Sequence, residues 1–354
     1  GRHLQANGIA ILWREKPPGT CTRAAVSTSR RQRQRETPRW EGREMQRKTI
    51  GIPRALFYYY LFPLWETFFQ ELGFAVVLSP LTDKRIVDIG VQKAVDEVCY
   101  PVKIYYGHVA TLADRVDYLF LPRLISIEKK SFICPKFMGL PDMIRASFPN
   151  LPPLLDQTFD DSKKDIAWHD GFQELGQKLG CAAKDVRQAY RRAFARWKEY
   201  QAQLLEGRHP LELLDGFKPR VKGEDPVKIG LLGHGYNLYD RYASMNIVKK
   251  LHDLGAEVVT AEMVPDQVIN EAAGLLPKKI FWTLGHKVVG SALHLAGRTD
   301  VAGLVHVASF GCGPDSMTGE ILQRLLRRHG QKPLLNLTID EHTGEAGLDT
   351  RLEA

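Results

Sequence analysis

The sequence predicts an α/β protein built from two parallel-sheet units joined by a helical segment, and three observations carry that reading. From Lys48 onward, short apolar runs alternate with amphipathic stretches of helical period across connections of a few residues. Strand, helix, strand order of this kind requires a crossover, and so a parallel sheet covered on both faces. The alternation stops between about Asp161 and Leu214 and restarts after a charged, proline-bearing stretch, GFKPRVKGEDP. Finally, 354 residues is more than a single core of usual size occupies.

The first unit, 48–160, opens with the strand TIGIP, a helix through LWETFFQELG ending at Gly73, and the strand FAVVLSP. IVDIGVQKAVDEV reads as a helix leading to Cys99, and a second helix runs from about Pro101 to Ala113. VDYLFLP supplies a strand, LPDMIRASF a helix, and PPLLDQTF an edge strand. The connector, 161–225, is dominated by DVRQAYRRAFARWKEYQAQLLEG, one long amphipathic helix with Gly207 near its end. The second unit, 226–354, repeats the order: strand PVKIGLLGHG, helix ASMNIVKKLHDLG, strand AEVVTAE, a helix around AAGLLPKKIFWTLGHKVVGSALHLA, strand GLVHVAS, helix GEILQRLLRRHG and strand PLLNLTID. Both units begin with a strand carrying Ile-Gly and continue through a helix to a second strand, a duplicated topology without sequence repetition.

The formal charge of +8 invites a nucleic-acid reading, but ten Lys and Arg against four Asp and Glu stand before Met45. The surplus is local, and nucleic acid is not the expected partner. That segment, 1–47, lacks any period and is predicted to be a disordered basic arm outside the fold, with Met45 as the expected start. No uninterrupted apolar run approaches a membrane span, YYYLFPLWETFF being broken by Pro63 and Glu66. Five cysteines with no CxxC pair argue against a secreted disulfide scaffold and for a reducing cytoplasm.

Three of those cysteines share a local grammar. Cys99 stands two places before Pro101, Cys134 directly before Pro135, and Cys312 two places before Pro314 in SFGCGPDS. Proline suits the first turn of a helix, so each thiol is placed at a helix N-terminus, where free N–H groups favour the thiolate that binds metal. Loops beyond the carboxyl ends of parallel strands line the ligand crevice of such folds, so cysteines from two units can converge there. Cys181 lacks a neighbouring glycine or proline and reads as packing, and Cys21 falls in the arm. Lys103, Asp315 and Ser316 are candidates to support a bound cofactor, the last two as helix caps, while His108 and His342 are candidates for proton transfer. GLLGHG reads as a tight turn rather than a complete dinucleotide fingerprint, and no Walker lysine is present, which assigns ATP hydrolysis to another chain or domain.

The strings IGIPRALFYYYLFPLWETFFQELG, EVCYPVKIYYGHV, FICPKFMGLPD, IGLLGHGYNLYD, FGCGPDS and IDEHTGEAGLDTRLEA together resemble the 2-hydroxyglutaryl-CoA dehydratase and benzoyl-CoA reductase superfamily. They are most similar to its activase-related branch, which is related to the double-cubane cluster proteins. The resemblance runs from about Lys48 to the end. It implies two Rossmann-like, flavodoxin-like domains holding a 4Fe–4S cluster on Cys99, Cys134 and Cys312. It further implies an iron–sulfur redox component that receives low-potential electrons from a partner BadF/BadG-type ATPase activator and acts on, or relays them to, an acyl-CoA or another small substrate, as a homo- or heterodimer with a related subunit. A bridged double cubane needs more thiolates than this core offers. Two other readings stay open: a two-domain nucleotide- or CoA-binding protein without a cluster, and structural zinc without redox chemistry.

Overall fold

In the computed structural model, which describes residues 47–162, 168–218, 220–223, 225–329 and 332–354, the chain starts as a doubly covered parallel sheet. Strand β1 (Thr49–Ile52) leads into α1 (Tyr58–Glu71), β2 (Ala75–Leu78), α2 (Lys84–Lys93), α3 (Tyr100–Leu112), β3 (Tyr118–Phe120), β4 (Arg123–Ser126), α4 (Pro135–Ser147), β5 (Leu154–Leu155) and β6 (Thr158–Asp160). The strands order as β2-β1-β3-β5, all parallel, while β4 and β6 form a separate parallel pair. The basic arm and Cys21 lie outside the described residues.

The connector consists of α5 (Trp168–Lys178), the 23-residue α6 (Ala183–Leu205) and α7 (Pro210–Asp215). Gly207 takes a left-handed φ of 89°, which only glycine adopts without strain, and ends the long helix. The second half runs β7 (Val227–Gly233), α8 (Gly235–Tyr239), α9 (Ile247–Asp253), β8 (Ala256–Thr260), α10 (Asp266–Ala273), α11 (Thr283–Gly297), β9 (Val301–Ser309), α12 (Gly313–His329), β10 (Leu334–Ile339) and α13 (Glu345–Glu353). Its sheet, read from the other edge, is β8-β7-β9-β10, all parallel. Each sheet therefore has its first strand inside, its second at one edge and its third on the other side, the expected Rossmann-like α/β architecture.

Local readings differ from the fold in five places. The expected edge strand PPLLDQTF splits between β5 and β6, β4 and α13 are additional, and the helix expected through AAGLLPKKIFWTLGHKVVGSALHLA is two helices. Between α10 and α11, Phe132 and Trp282 form an isolated parallel bridge: the Phe132 N–H donates to the Phe281 carbonyl at 2.8 Å, and the Thr283 N–H donates to the Phe132 carbonyl at 3.0 Å. A loop of the first half thus satisfies the backbone where the second half breaks its helix. The expected tight turn in GLLGHG is a strand end followed directly by α8, with Gly233 at φ 155°.

Residues 47–354 form one compact unit. A single apolar cluster runs from Ile50, Phe68 and Val109 of the first half to Val258, Val305 and Leu337 of the second. A smaller one, with Val289, Leu304 and Leu322, backs the second sheet. In α1, Trp65 and Phe69 pack edge-on against Phe120 with centroids 5.2 and 5.0 Å away, and burial of each such ring contributes about 2–3 kcal/mol. Among the described residues no helix is long and apolar enough to cross a membrane.

Candidate metal centre

Cys99, Cys134 and Cys312 each immediately precede a helix, α3, α4 and α12, and each helix carries its proline in the first turn. The three loops meet. Gly311, at φ 76°, lies against the backbone of Cys99, so that a Cβ built there stands 3.5 Å from the Cys99 Cα. Glycine precedes Cys312 because the chain must turn left-handed as it passes Cys99. The thiols are close enough to act on one another's charge: Cys312 responds to Cys99 and Cys134, and Cys99 responds to Cys134. Three sulfurs distant in sequence are thereby brought to one place, with Cys312 buried and the other two half-buried.

Helix N-termini do not produce the expected thiolates in the absence of a cation. Burial pushes Cys99 up to about 11, against the lowering effect of the Val102 N–H. Cys134 is raised by burial against the Lys136 N–H and ammonium, and Cys312 by burial and the Asp315 carboxylate against the Asp315 N–H. Desolvation outweighs the fixed dipoles here. These thiols carry protons until something positive displaces them.

Around Cys312 the second sheet contributes more than the sequence reading assigned. The carboxyl ends of β7 and β9, side by side but leaving toward opposite edges, open the crevice where such sheets bind ligands. His234 follows β7, while Cys312 and Asp315 follow β9. A His234 nitrogen, the Cys312 sulfur and an Asp315 carboxylate oxygen lie within 4.8 Å of one another, all buried. His234 Nε2 and Asp315 Oδ1 stand 3.3 Å apart yet are too poorly aligned to share a hydrogen bond, and neither has a hydrogen-bond partner among the described residues. The remaining atoms are fixed: His234 Nδ1 pairs with the Tyr236 hydroxyl at 2.7 Å, and Asp315 Oδ2 accepts from Asn237 Nδ2 at 3.2 Å. Asn237 Oδ1 in turn accepts from Ser309 Oγ at 2.6 Å. Two buried polar atoms left open beside a thiol are what a cation would satisfy.

The other expected residues fall into different places. Asp315 turns inward to this cluster instead of capping α12, and Ser316 Oγ donates back to the Cys312 carbonyl at 2.8 Å. Lys103 Nζ is taken by Glu341 Oε1 at 2.5 Å, an ion pair between the two halves. His342 is exposed, its backbone N–H donating to Asp340 Oδ1. His108 lies nine residues past Cys99 on α3, about 13 Å along the axis, and its Nε2 pairs with Thr82 Oγ1 at 2.9 Å. His234 was the omission: a histidine directly after a strand, at the point where strand order reverses, is the signal that names it.

A family model described as a CoA enzyme activase uncharacterised domain matches residues 49–264. A search of curated proteins finds no significant match. The family match overturns the expected division of labour. An activase is of the ATPase activator type, so the chain is not the iron–sulfur dehydratase or reductase component, and the BadF/BadG-type activator expected as its partner is the role the match assigns to the chain's own family.

Proposed function

We propose that this protein, which belongs to the CoA enzyme activase family, is a metal-holding activase domain in which Cys99, Cys134 and Cys312 ligate a 4Fe–4S cluster. The observation that carries this reading is the convergence of three cysteines, each at a helix N-terminus, on one crevice. The donor set suits the group. Sulfur is the ligand iron–sulfur clusters take, backbone N–H groups sit where they favour the anionic sulfurs, and burial limits solvent exposure, all of which tune a cluster's potential. When bound, such a cluster would give the activase a one-electron store. The chain's own residues shape the site: Gly311 lets the Cys312 loop pass Cys99, Tyr236 walls the crevice beside both, and Lys136 is the cation both Cys99 and Cys134 sense.

The test is anaerobic reconstitution with iron and sulfide. The expected product is brown, with broad visible absorption and roughly four irons and four sulfides per chain. Cys99→Ser, Cys134→Ser and Cys312→Ser should each abolish the colour, and Cys181→Ser should keep it. A colourless product with no bound iron would end the proposal.

A second reading is favoured by the open pair at His234 and Asp315: a single divalent ion on His234, Cys312 and Asp315 with a fourth position free. Nitrogen, sulfur and carboxylate ligands of this number are those of zinc sites that keep one open position. In the tautomer that donates Nδ1–H to the Tyr236 oxygen, His234 presents a free lone pair at Nε2. This site survives Cys99→Ser and is lost on His234→Gln, which separates it from the cluster.

A further inference from the structure

On the side of the molecule where α7 and α8 meet the loops after β1 and β2 lies a cavity of about 260 Å³, lined among others by Arg54, Tyr58, Thr82, Asp215, Asp240 and Arg241. Its charges are unevenly satisfied. Asp215 Oδ1 accepts from Arg54 Nη1 at 2.8 Å and from the Tyr58 hydroxyl at 3.2 Å. Asp240 Oδ1 accepts from the N–H groups of Tyr242 and Ala243, both at 3.0 Å, and its Oδ2 accepts from Thr82 Oγ1 at 2.5 Å. Asp240 is therefore engaged at both oxygens and Asp215 at one.

The two cations differ: Arg54 gives Nη1 to Asp215, whereas Arg241 makes no ion pair among the described residues. Arg54 Nε is buried and has no hydrogen-bond partner among the described residues. Arg241 has no carboxylate partner among the described residues; its Nε donates to Asn246 Oδ1 at 3.0 Å and its guanidinium lies 4.2 Å from the centroid of the Phe217 ring. The backbone is bent to make that arrangement. Met245 and Asn246 both take left-handed φ values, 51° and 57°, and the turn they form returns the Asn246 N–H to the Arg241 carbonyl at 2.8 Å. Consecutive left-handed residues other than glycine cost about 1–2 kcal/mol each, and strain of this kind persists where the surroundings fix a functional geometry. A guanidinium clamped at Nε, stacked on one face and lining a cavity keeps its two terminal nitrogens for bidentate recognition of an oxyanion.

We propose that this cavity is a binding site for a small organic oxyanion, a carboxylate or a phosphate monoester, held by the Arg241 guanidinium. The tyrosine-lined wall takes the ligand's carbon part, and Asp215 is paired with Arg54 while Asp240 is held by Thr82 and two backbone N–H groups, which leaves Arg241 to the ligand. The site shares no residue with the metal centre.

Calorimetric titration of the full chain with inorganic phosphate, with malonate and with sodium chloride at matched ionic strength tests it. One saturable site per chain is expected for phosphate or for malonate and not for chloride, and whichever of the two binds identifies the ligand class. Arg241→Gln should weaken that binding at least tenfold, whereas Arg324→Gln, on the exposed face of α12, should leave it unchanged. Arg241→Lys should restore little, because an ammonium cannot make the two-pronged contact. Absence of saturable heat with both anions, or equal weakening by Arg241→Gln and Arg324→Gln, would overturn the assignment.

Discussion

His108 shows how a residue chosen from sequence for one role is held by the fold in another. Thr82 donates its hydroxyl proton to Asp240, so the hydroxyl oxygen accepts from His108 Nε2–H and leaves Nδ1 without a proton and, among the described residues, without a partner. Complete burial, and next the Arg54 charge, push the imidazole down from 6.5 to about 3. A group with a depressed folded pKa of this kind binds fewer protons folded than unfolded between those values, so its contribution is whole above 6.5 and is lost as pH falls toward 3. At 1.36 kcal/mol per unit the loss amounts to about 5 kcal/mol. Asp240 works in the opposite sense: burial raises it from 3.8 to about 6, so its contribution is present below 3.8 and disappears as pH rises through 6. Urea unfolding from pH 7 to pH 4 should therefore show a clear acid loss in the natural chain, a shallower one in His108→Gln and a steeper one in Asp240→Asn. Parallel curves for all three would refute the account. The cysteines were legible because proline marks the helix start after each of them; the side of α3 on which His108 ends up depends on what packs against it, and no local pattern records that.

At the scale of elements, α1 carries a proline in its interior and α6 supplies the missing bond. Pro63 has no N–H to give the carbonyl four residues back, which belongs to Tyr59. That carbonyl accepts instead from the Tyr200 hydroxyl at 2.7 Å, and the adjacent Tyr60 carbonyl accepts from Trp197 Nε1 at 2.9 Å. The long connector helix is thus keyed to the first half at its one backbone defect. Tyr200→Phe should cost about 1–3 kcal/mol, the penalty for a buried acceptor left unpaired. In a Pro63→Ala background, where the backbone N–H restored at that position can donate to the same carbonyl, the cost of Tyr200→Phe should fall by at least half, and a double-mutant cycle in guanidinium measures the difference. Additivity of the two changes would show that the hydroxyl and the proline are unrelated. Most elements were legible from period and punctuation: α6 from its amphipathic repeat and Gly207, β7 and β9 from their apolar runs. The short strand β4 was hidden because its RLIS follows β3 with only two residues between, and α10 was fused to α11 because what separates them is a pairing with Phe132, 150 residues away.

Over the whole molecule, two sheets with the same strand order face a common interior. The repeated topology could be read from the two Ile-Gly strand starts, whereas the sharing of the core could not, since contacts between distant segments leave no imprint on local periodicity. That sharing has a thermodynamic consequence. The main apolar cluster draws on strands and helices of both halves, the Lys103–Glu341 pair crosses between them, and the Gly235 N–H donates to the Tyr60 hydroxyl at 2.5 Å. Gly235 also has to be glycine there, because a Cβ would stand 2.8 Å from that oxygen. Separating the halves would uncover apolar surface on each side and leave buried polar groups without partners, so an intermediate with one half folded is costly. Unfolding is expected as one transition, with far- and near-ultraviolet circular dichroism giving the same midpoint and the calorimetric enthalpy equal to the van't Hoff value. Gly235→Ala, which forces the Tyr60 hydroxyl away at the contact between halves, should lower that single midpoint without splitting it. Two resolved transitions in the natural chain would mean that the halves hold their own cores and that the interior described here contributes little to stability.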